Sequence, residues 1–144
     1  MFRKILYPTD FSSISKKVVA AIKQLKDAGT EEIVLINVID SRNIDAMVHW
    51  APTEYEHIRN VIEDNTRKEA EEAARDLKEA GFKVTVMVTE GIPAQEILKA
   101  EKQTGVSSII IGSHGKSNLQ EMLLGSVSDV VIRKAEKPVI VIKR

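Results

Sequence analysis

Cysteine is absent from the 144-residue chain. That excludes disulfides and thiolate metal sites, and it fits a reducing compartment. Net charge is absent too: 21 lysines and arginines balance 21 aspartates and glutamates. A general nucleic-acid binder needs a basic field to neutralise phosphates, and this chain has none. Long apolar runs are also missing. No segment approaches the roughly 18 apolar residues that suggest a membrane-spanning helix. The start Met1-Phe2-Arg3-Lys4 lacks the apolar stretch and small-residue cleavage site of a secretory signal. The expectation is a cytoplasmic protein that binds neither nucleic acid nor membrane. No cluster of metal-binding residues accompanies His49 or His57, so both read as surface residues. Trp50 reads either as a cover for a pocket or as an anchor for its own loop.

What is present suffices for one domain, residues 1–144, with 43% hydrophobic residues to build a core. Ile5-Leu6-Tyr7 is a short apolar strand stopped by Pro8-Thr9-Asp10. Ser12 or Ser13 can cap a helix carrying Ile14, Val18, Ala21, Ile22 and Leu25, with Gly29 as its stop. The run from Ile33 to Ile39 is almost wholly apolar and β-branched, as parallel strands buried on both faces are. Residues 41–52 show no period and read as a loop. Thr53 with Glu56 makes a capping box for a long helix that presents Ile58, Val61, Ile62, Ala70, Ala73, Ala74 and Leu77 and ends at Gly81. Val84, Val86 and Val88 mark a third strand. Pro93 suits the first turn of the next helix, whose buried stripe is Ile97 and Leu98 and whose stop is Gly105. Residues 107–111 form a fourth strand, residues 126–134 a last helix, and residues 138–142 a fifth strand.

Strands alternating with helices predict an α/β fold, a parallel sheet with helices on both faces. Right-handed crossovers then favour the order 3-2-1-4-5 over five strands. Strands 1 and 4 flank the switch point. Ligands in open α/β sheets bind there, at the carboxyl ends of the strands.

The residues after strand 4 are Gly112-Ser113-His114-Gly115, followed after nine more by Gly125-Ser126. Glycine admits backbone dihedrals other residues avoid and lets main-chain amides approach an anion. A helix beginning near Ser126 directs its free amides and positive end at the same place. This reads as a phosphate cradle, to which Ser126 adds a hydroxyl. The same residues have plainer readings: glycines after a strand serve turns, and Ser126 with Asp129 is an ordinary capping box. Gly115-Lys116-Ser117 mimics the end of a P-loop, but that motif needs a glycine where Ile110 stands. Strand 1 is followed by Pro8-Thr9-Asp10 and not by the glycines of a dinucleotide fingerprint.

The pattern Gly112-x2-Gly115-x9-Gly125-Ser126 resembles the nucleotide motif of the universal stress proteins. The resemblance extends over the whole chain: Pro8-Thr9-Asp10-Phe11-Ser12 after strand 1, Asn37-Val38-Ile39-Asp40 at the end of strand 2, Gly91-Ile92-Pro93, and Pro138-Val139-Ile140-Val141-Ile142. It implies an adenine nucleotide alpha hydrolase-like fold that binds ATP, with Mg2+ or Mn2+ on the phosphates. In that likeness Asp10, beside Pro8 and Thr9, holds the ribose or lies near the metal ion. Val38 meets adenine through its backbone. Gly112, Gly115, Gly125, Ser126 and Val127 surround the phosphates, with Ile111, Ser113 and His114 as further contacts of the same ligand. Taken alone, Asp10 reads equally as a turn residue, and Val38 as core. Asn118 stands where many relatives have glycine, and asparagine tolerates left-handed backbone.

Strand 5 would be a short, apolar edge, and exposed edges invite pairing. A two-fold homodimer through residues 138–142 would cover it, as the resemblance also implies. Ser113 and His114 are chain neighbours and form no recognisable nucleophile-base-orienter set. The expectation is therefore a nucleotide-dependent stress-response switch without efficient catalysis. The alternatives are a slow ATPase, an adenylyl-handling enzyme on the same scaffold, and a non-catalytic dimerisation module. A phospho-receiver is excluded, since it needs an acidic pair after strand 1 and an aspartate after strand 3.

Overall fold

The near-continuous β-branched runs of the sequence become the inner strands of a five-stranded sheet. The computed structural model describes residues 1–114 and 124–144. In chain order the elements are β1 (Lys4–Pro8), α1 (Ser15–Gln24), β2 (Glu32–Asp40), α2 (Ser41–Trp50), α3 (Tyr55–Glu79), β3 (Lys83–Gly91), α4 (Pro93–Thr104), β4 (Ser108–Gly112), α5 (Ser126–Lys134) and β5 (Val139–Ile142). All pairings are parallel, and the strand order is β3-β2-β1-β4-β5. This is the order the alternation of strands and helices predicts.

Side-chain alternation along each strand divides the core in two. On one face Ile5 and Tyr7 of β1 join Ile33 and Leu35 of β2 beneath Val18 and Ile22 of α1 and Ala70 and Leu77 of α3. On the other face Leu6, Val34, Ile36, Ile109 and Ile111 pack against Ile97 and Ala100 of α4 and Val131 of α5. Complete burial of one such aliphatic side chain contributes about 1.5–3 kcal/mol.

Several local expectations change. Residues 41–50 are helical, not a loop. The Asp40 carboxylate caps this helix by accepting from the Arg42 amide at 3.0 Å. Only Ile44 among its ten residues is buried, so no 3.6-residue period is written in the sequence. The three proposed hydroxyl caps are not formed. Helix α1 begins at Ser15 behind Ile14, and α3 at Tyr55 behind Glu54, each without a side-chain cap. Ser12 and Ser13 precede α1 in the turn, and Thr53 lies outside α3. Gly125 takes the cap position of α5, so Ser126 is already inside the helix. Asp129 pairs instead with Arg133 at 3.1 Å. Val61, assigned to the inner side of α3, is 44% exposed. The glycine stops at Gly81 and Gly105 are correct, both with positive φ, while α1 itself ends at Gln24 and Gly29, also at positive φ, closes the 3-10 turn Leu25–Ala28 that follows it. Among the described residues no helix is long and apolar enough to cross a membrane.

Candidate functional site

The carboxyl ends of β1 and β4 diverge at the switch point because their crossovers leave on opposite faces of the sheet. A cavity of about 480 Å3 opens there. It receives Pro8 from β1 with Thr9 and Asp10 just after it, Val38 from β2, Ile111 and Gly112 from β4 with His114 just after it, and Val127 from α5. Eight of the residues singled out in the sequence thus share one cavity. Ser113, Gly125 and Ser126 do not line it. Gly115, Lys116 and Asn118 fall outside the described residues.

The β1 side is held by short-range polar contacts. The Thr9 amide donates to the Ile36 carbonyl at 3.0 Å, and Asn37 Nδ2 donates to the Thr9 carbonyl at 2.8 Å. The Thr9 hydroxyl accepts from the Phe11 amide at 3.0 Å. Asp10 Oδ1 accepts from the Ser12 amide at 3.0 Å, so Asp10 is a turn residue as well as a cavity residue. Between them Phe11 adopts φ 60°, the one described non-glycine residue with positive φ.

The β4 side is tied to the first turn of α5. Ser128 Oγ donates to the Gly112 carbonyl at 2.7 Å, and the Gly125 amide donates to the Ser113 carbonyl at 2.7 Å. These bonds aim the start of α5, where the first amides lack helical acceptors, toward the cavity that Val127 and Ser128 line. The glycines work differently from the sequence reading. Neither Gly112 nor Gly125 has positive φ: Gly125 sits at φ −62°, ψ 153°. Gly112 is required by close approach, since a Cβ there would meet Ile14 Cγ2 at 2.8 Å.

His114 is 5% exposed. Its Nδ1 shares a hydrogen bond with Ser113 Oγ at 2.7 Å, while Nε2 has no partner among the described residues. Burial holds the imidazole pKa below its ordinary value, the Arg144 charge adds to this, and Asp10 opposes it. The serine of this pair does not line the cavity, and among the described residues no third group orients the imidazole from Nε2.

Asn37, Asp40, Asn43, Thr66 and Glu69 also line the cavity and had no assigned role. Asn37 was legible as a polar residue in an apolar strand. Asn43 was hidden by the reading of α2 as a loop, and Thr66 and Glu69 by the missing register of α3. Asp40 is neutralised locally by Arg42, which donates through Nε at 2.9 Å and a terminal nitrogen at 2.6 Å. The side-chain bonds from Arg42 outweigh burial and hold the Asp40 carboxyl below its ordinary pKa. No group of three or more metal-binding side chains occurs among the described residues.

Fold and cavity together define an open α/β protein with a cavity at the topological switch point, the place where ligands of open α/β sheets bind. The universal stress protein family model matches residues 1–143; the chain belongs to that family. It is 40% identical to universal stress protein MJ0577 of Methanocaldococcus jannaschii, with 100% of this chain and 96% of the relative covered. It is 32% identical to universal stress protein YxiE of Bacillus subtilis, covering 99% and 100%. The solved MJ0577 structure matches with a TM-score of 0.89 at 41% identity, over 100% of this chain and 97% of the other. The fold is also that of a universal stress protein solved with cAMP, at TM-score 0.70, 18% identity and coverage of 99% and 97%. An Archaeoglobus fulgidus relative solved with dAMP has TM-score 0.68, 20% identity and coverage of 99% and 100%.

Proposed function

We propose that this chain binds ATP in the switch-point cavity and acts as a stress-response switch without efficient catalysis. The observation that carries the reading is the meeting of Thr9 and Asp10 with Gly112, His114 and the start of α5 around one cavity of about 480 Å3. A helix start favours phosphate through its free amides and positive end. Val38 would meet the base at the far side, with Asn43 of α2 nearby. Ser113, Gly115, Gly125 and Ser126 belong to the proposed phosphate segment by their place in the chain. The cAMP and dAMP of the two fold relatives favour an adenine nucleotide over another anion.

Mg2+ or Mn2+ fits this cavity in one manner. Asp10 offers a carboxylate, and such ions commonly combine one or two carboxylates with phosphate oxygens. The metal would supply charge neutralisation for the phosphates. The chain's part is to fix Asp10 through its turn with Ser12. Among the described residues the Ser113–His114 pair has no orienting group and Ser113 does not line the cavity, which favours binding over turnover.

The proposed assembly is a homodimer through residues 138–142. The Pro138 and Ile142 carbonyls accept from the Ile109 and Ser113 amides of β4. In a parallel ladder this places the amides of Val139 and Val141 on the outer edge, open to a second strand.

Calorimetric titration of ATP into the purified chain tests the nucleotide reading, with Gly125→Val as control. Saturable one-site binding, weakened at least tenfold by the substitution, is expected. No affinity in the unsubstituted chain defeats the proposal.

A further inference from the structure

Between its charged ends β2 has one polar residue, Asn37. Side chains alternate along a strand, so Asn37 follows Ile33 and Leu35 on the face that packs against α1 and α3. It is 8% exposed. A buried amide is costly unless its groups are paired, and Asn37 Nδ2 donates to the Thr9 carbonyl at 2.8 Å. Asn37 and Thr9 both line the switch-point cavity.

That bond stands where a backbone bond belongs. Even-numbered residues of β2 turn their main-chain groups to β1: the Glu32 amide donates to the Arg3 carbonyl at 3.1 Å, and the Ile36 carbonyl accepts from the Thr9 amide at 3.0 Å. The next rung of the parallel ladder would carry the Val38 amide to the Thr9 carbonyl. The Asn37 side chain takes that carbonyl instead, and β1 pairs with β2 only as far as Pro8 and Ile36. The Val38 amide and carbonyl are thereby directed past the end of β1, on the side of the cavity that Val38 lines. β2 itself runs on against β3 as far as Asp40, so this free edge belongs to an ordered strand. The same bond completes the fixing of Thr9, whose amide, carbonyl and hydroxyl are engaged by Ile36, Asn37 and Phe11.

We propose that Asn37 is a positioning residue of the nucleotide site. By taking the Thr9 carbonyl it ends the β1–β2 ladder early, holds Asp10 at the cavity and leaves the Val38 main-chain donor and acceptor to the ligand. A base edge that offers an acceptor beside a donor, as adenine does, complements that pair. An aliphatic residue at 37 would continue the apolar row of Ile33 and Leu35, but it would strip the Thr9 carbonyl of its donor. The Val38 amide is the backbone donor in register to replace it, and the ladder would close over the edge the base needs. The inference rests on the nucleotide reading above.

Two measurements on the full chain test it: ATP affinity by calorimetry, and hydrogen exchange of the Val38 amide without nucleotide. Asn37→Leu should weaken ATP by roughly tenfold, the upper end of one net hydrogen bond, and should slow exchange at Val38 as its amide closes onto Thr9. Asn37→His, whose imidazole Nδ1 can donate from nearly the same place, should recover most of the affinity. Asn37→Asp keeps the shape without the donor; it should weaken ATP as the leucine variant does, and it serves where that variant misfolds. A lower urea midpoint with unaltered ATP affinity in the folded donorless variants would confine Asn37 to folding and overturn the proposal. So would a Val38 amide as protected in the unsubstituted chain as that of Ile36, or exchange at Val38 unchanged in a folded Asn37→Leu. No ATP affinity in the unsubstituted chain would defeat the nucleotide reading and this proposal with it, whereas a protected Val38 amide would defeat this proposal alone.

Discussion

Gly112 ends β4 with Ile14 leaning over it, and the contact makes a sharp test of why a glycine stands there. A methyl group at 112 would lie 2.8 Å from Ile14 Cγ2 and 3.2 Å from Cγ1. Overpacking of this kind costs about 1–3 kcal/mol. Gly112→Ala should therefore lower the urea midpoint. Removing the obstructing atoms with Ile14→Ala should make the double variant more stable than the sum of the two single losses, and strict additivity would refute the contact as the cause. His114 makes a second residue-scale prediction. Its folded pKa is depressed by burial, then by Arg144, with Asp10 opposing. Unfolded histidine titrates at about 6.5. As pH falls below that value the unfolded chain takes up a proton that the folded chain refuses, so stability declines until the depressed folded pKa is reached. Urea unfolding at about pH 7.5 and about pH 5.5 should show this loss, and His114→Gln should remove the imidazole's share of it. Equal slopes in both proteins would contradict the assignment.

At the scale of elements, the turn between α5 and β5 depends on a residue from α4. Glu101 is 2% exposed. Its Oε1 accepts from the amides of Glu136 at 2.9 Å and Lys137 at 2.7 Å. Glu101→Ala leaves both donors unpaired and should cost about 1–3 kcal/mol. Glu101→Gln keeps an acceptor and should lose less. Amide hydrogen exchange would check the locality: faster exchange confined to residues 136–142 is expected in the alanine variant, and unchanged exchange there would reject the tie. The short helix α2 has a comparable dependence on one carboxylate. Asp40 caps its amide end while receiving the Arg42 guanidinium. Asp40→Ala should cost about 0.5–2 kcal/mol, with faster exchange through residues 41–50. Normal protection of those amides would mean that Ile44 alone anchors the helix.

For the whole molecule, the proposed edge pairing predicts a specific failure. Val141 directs its amide away from β4, so Val141→Pro removes an outward donor while leaving the Ile140 and Ile142 amides to the ladder. Light scattering should give a dimer for the unsubstituted chain at micromolar concentration and a shift toward monomer for the variant. A monomer in both would end the edge-pairing proposal. The sequence carried the architecture because its signals are local and repeated. β-branched runs defined the inner strands, the glycines at 29, 81 and 105 marked helix ends, and alternation of the elements fixed the parallel order. It also named Asp10, Val38, Gly112 and His114 before the cavity could be seen. What it could not express were relations between distant segments. The ten residues of α2 bury one side chain and so write no period. The need for glycine at 112 lies in Ile14, 98 positions earlier. The acceptor that Asn37 serves, the Thr9 carbonyl, lies in the exit turn of another strand. Local pattern decided which elements form and in what order, while the tertiary structure decided what each side chain meets, because those contacts are set by packing and not by neighbours in the chain.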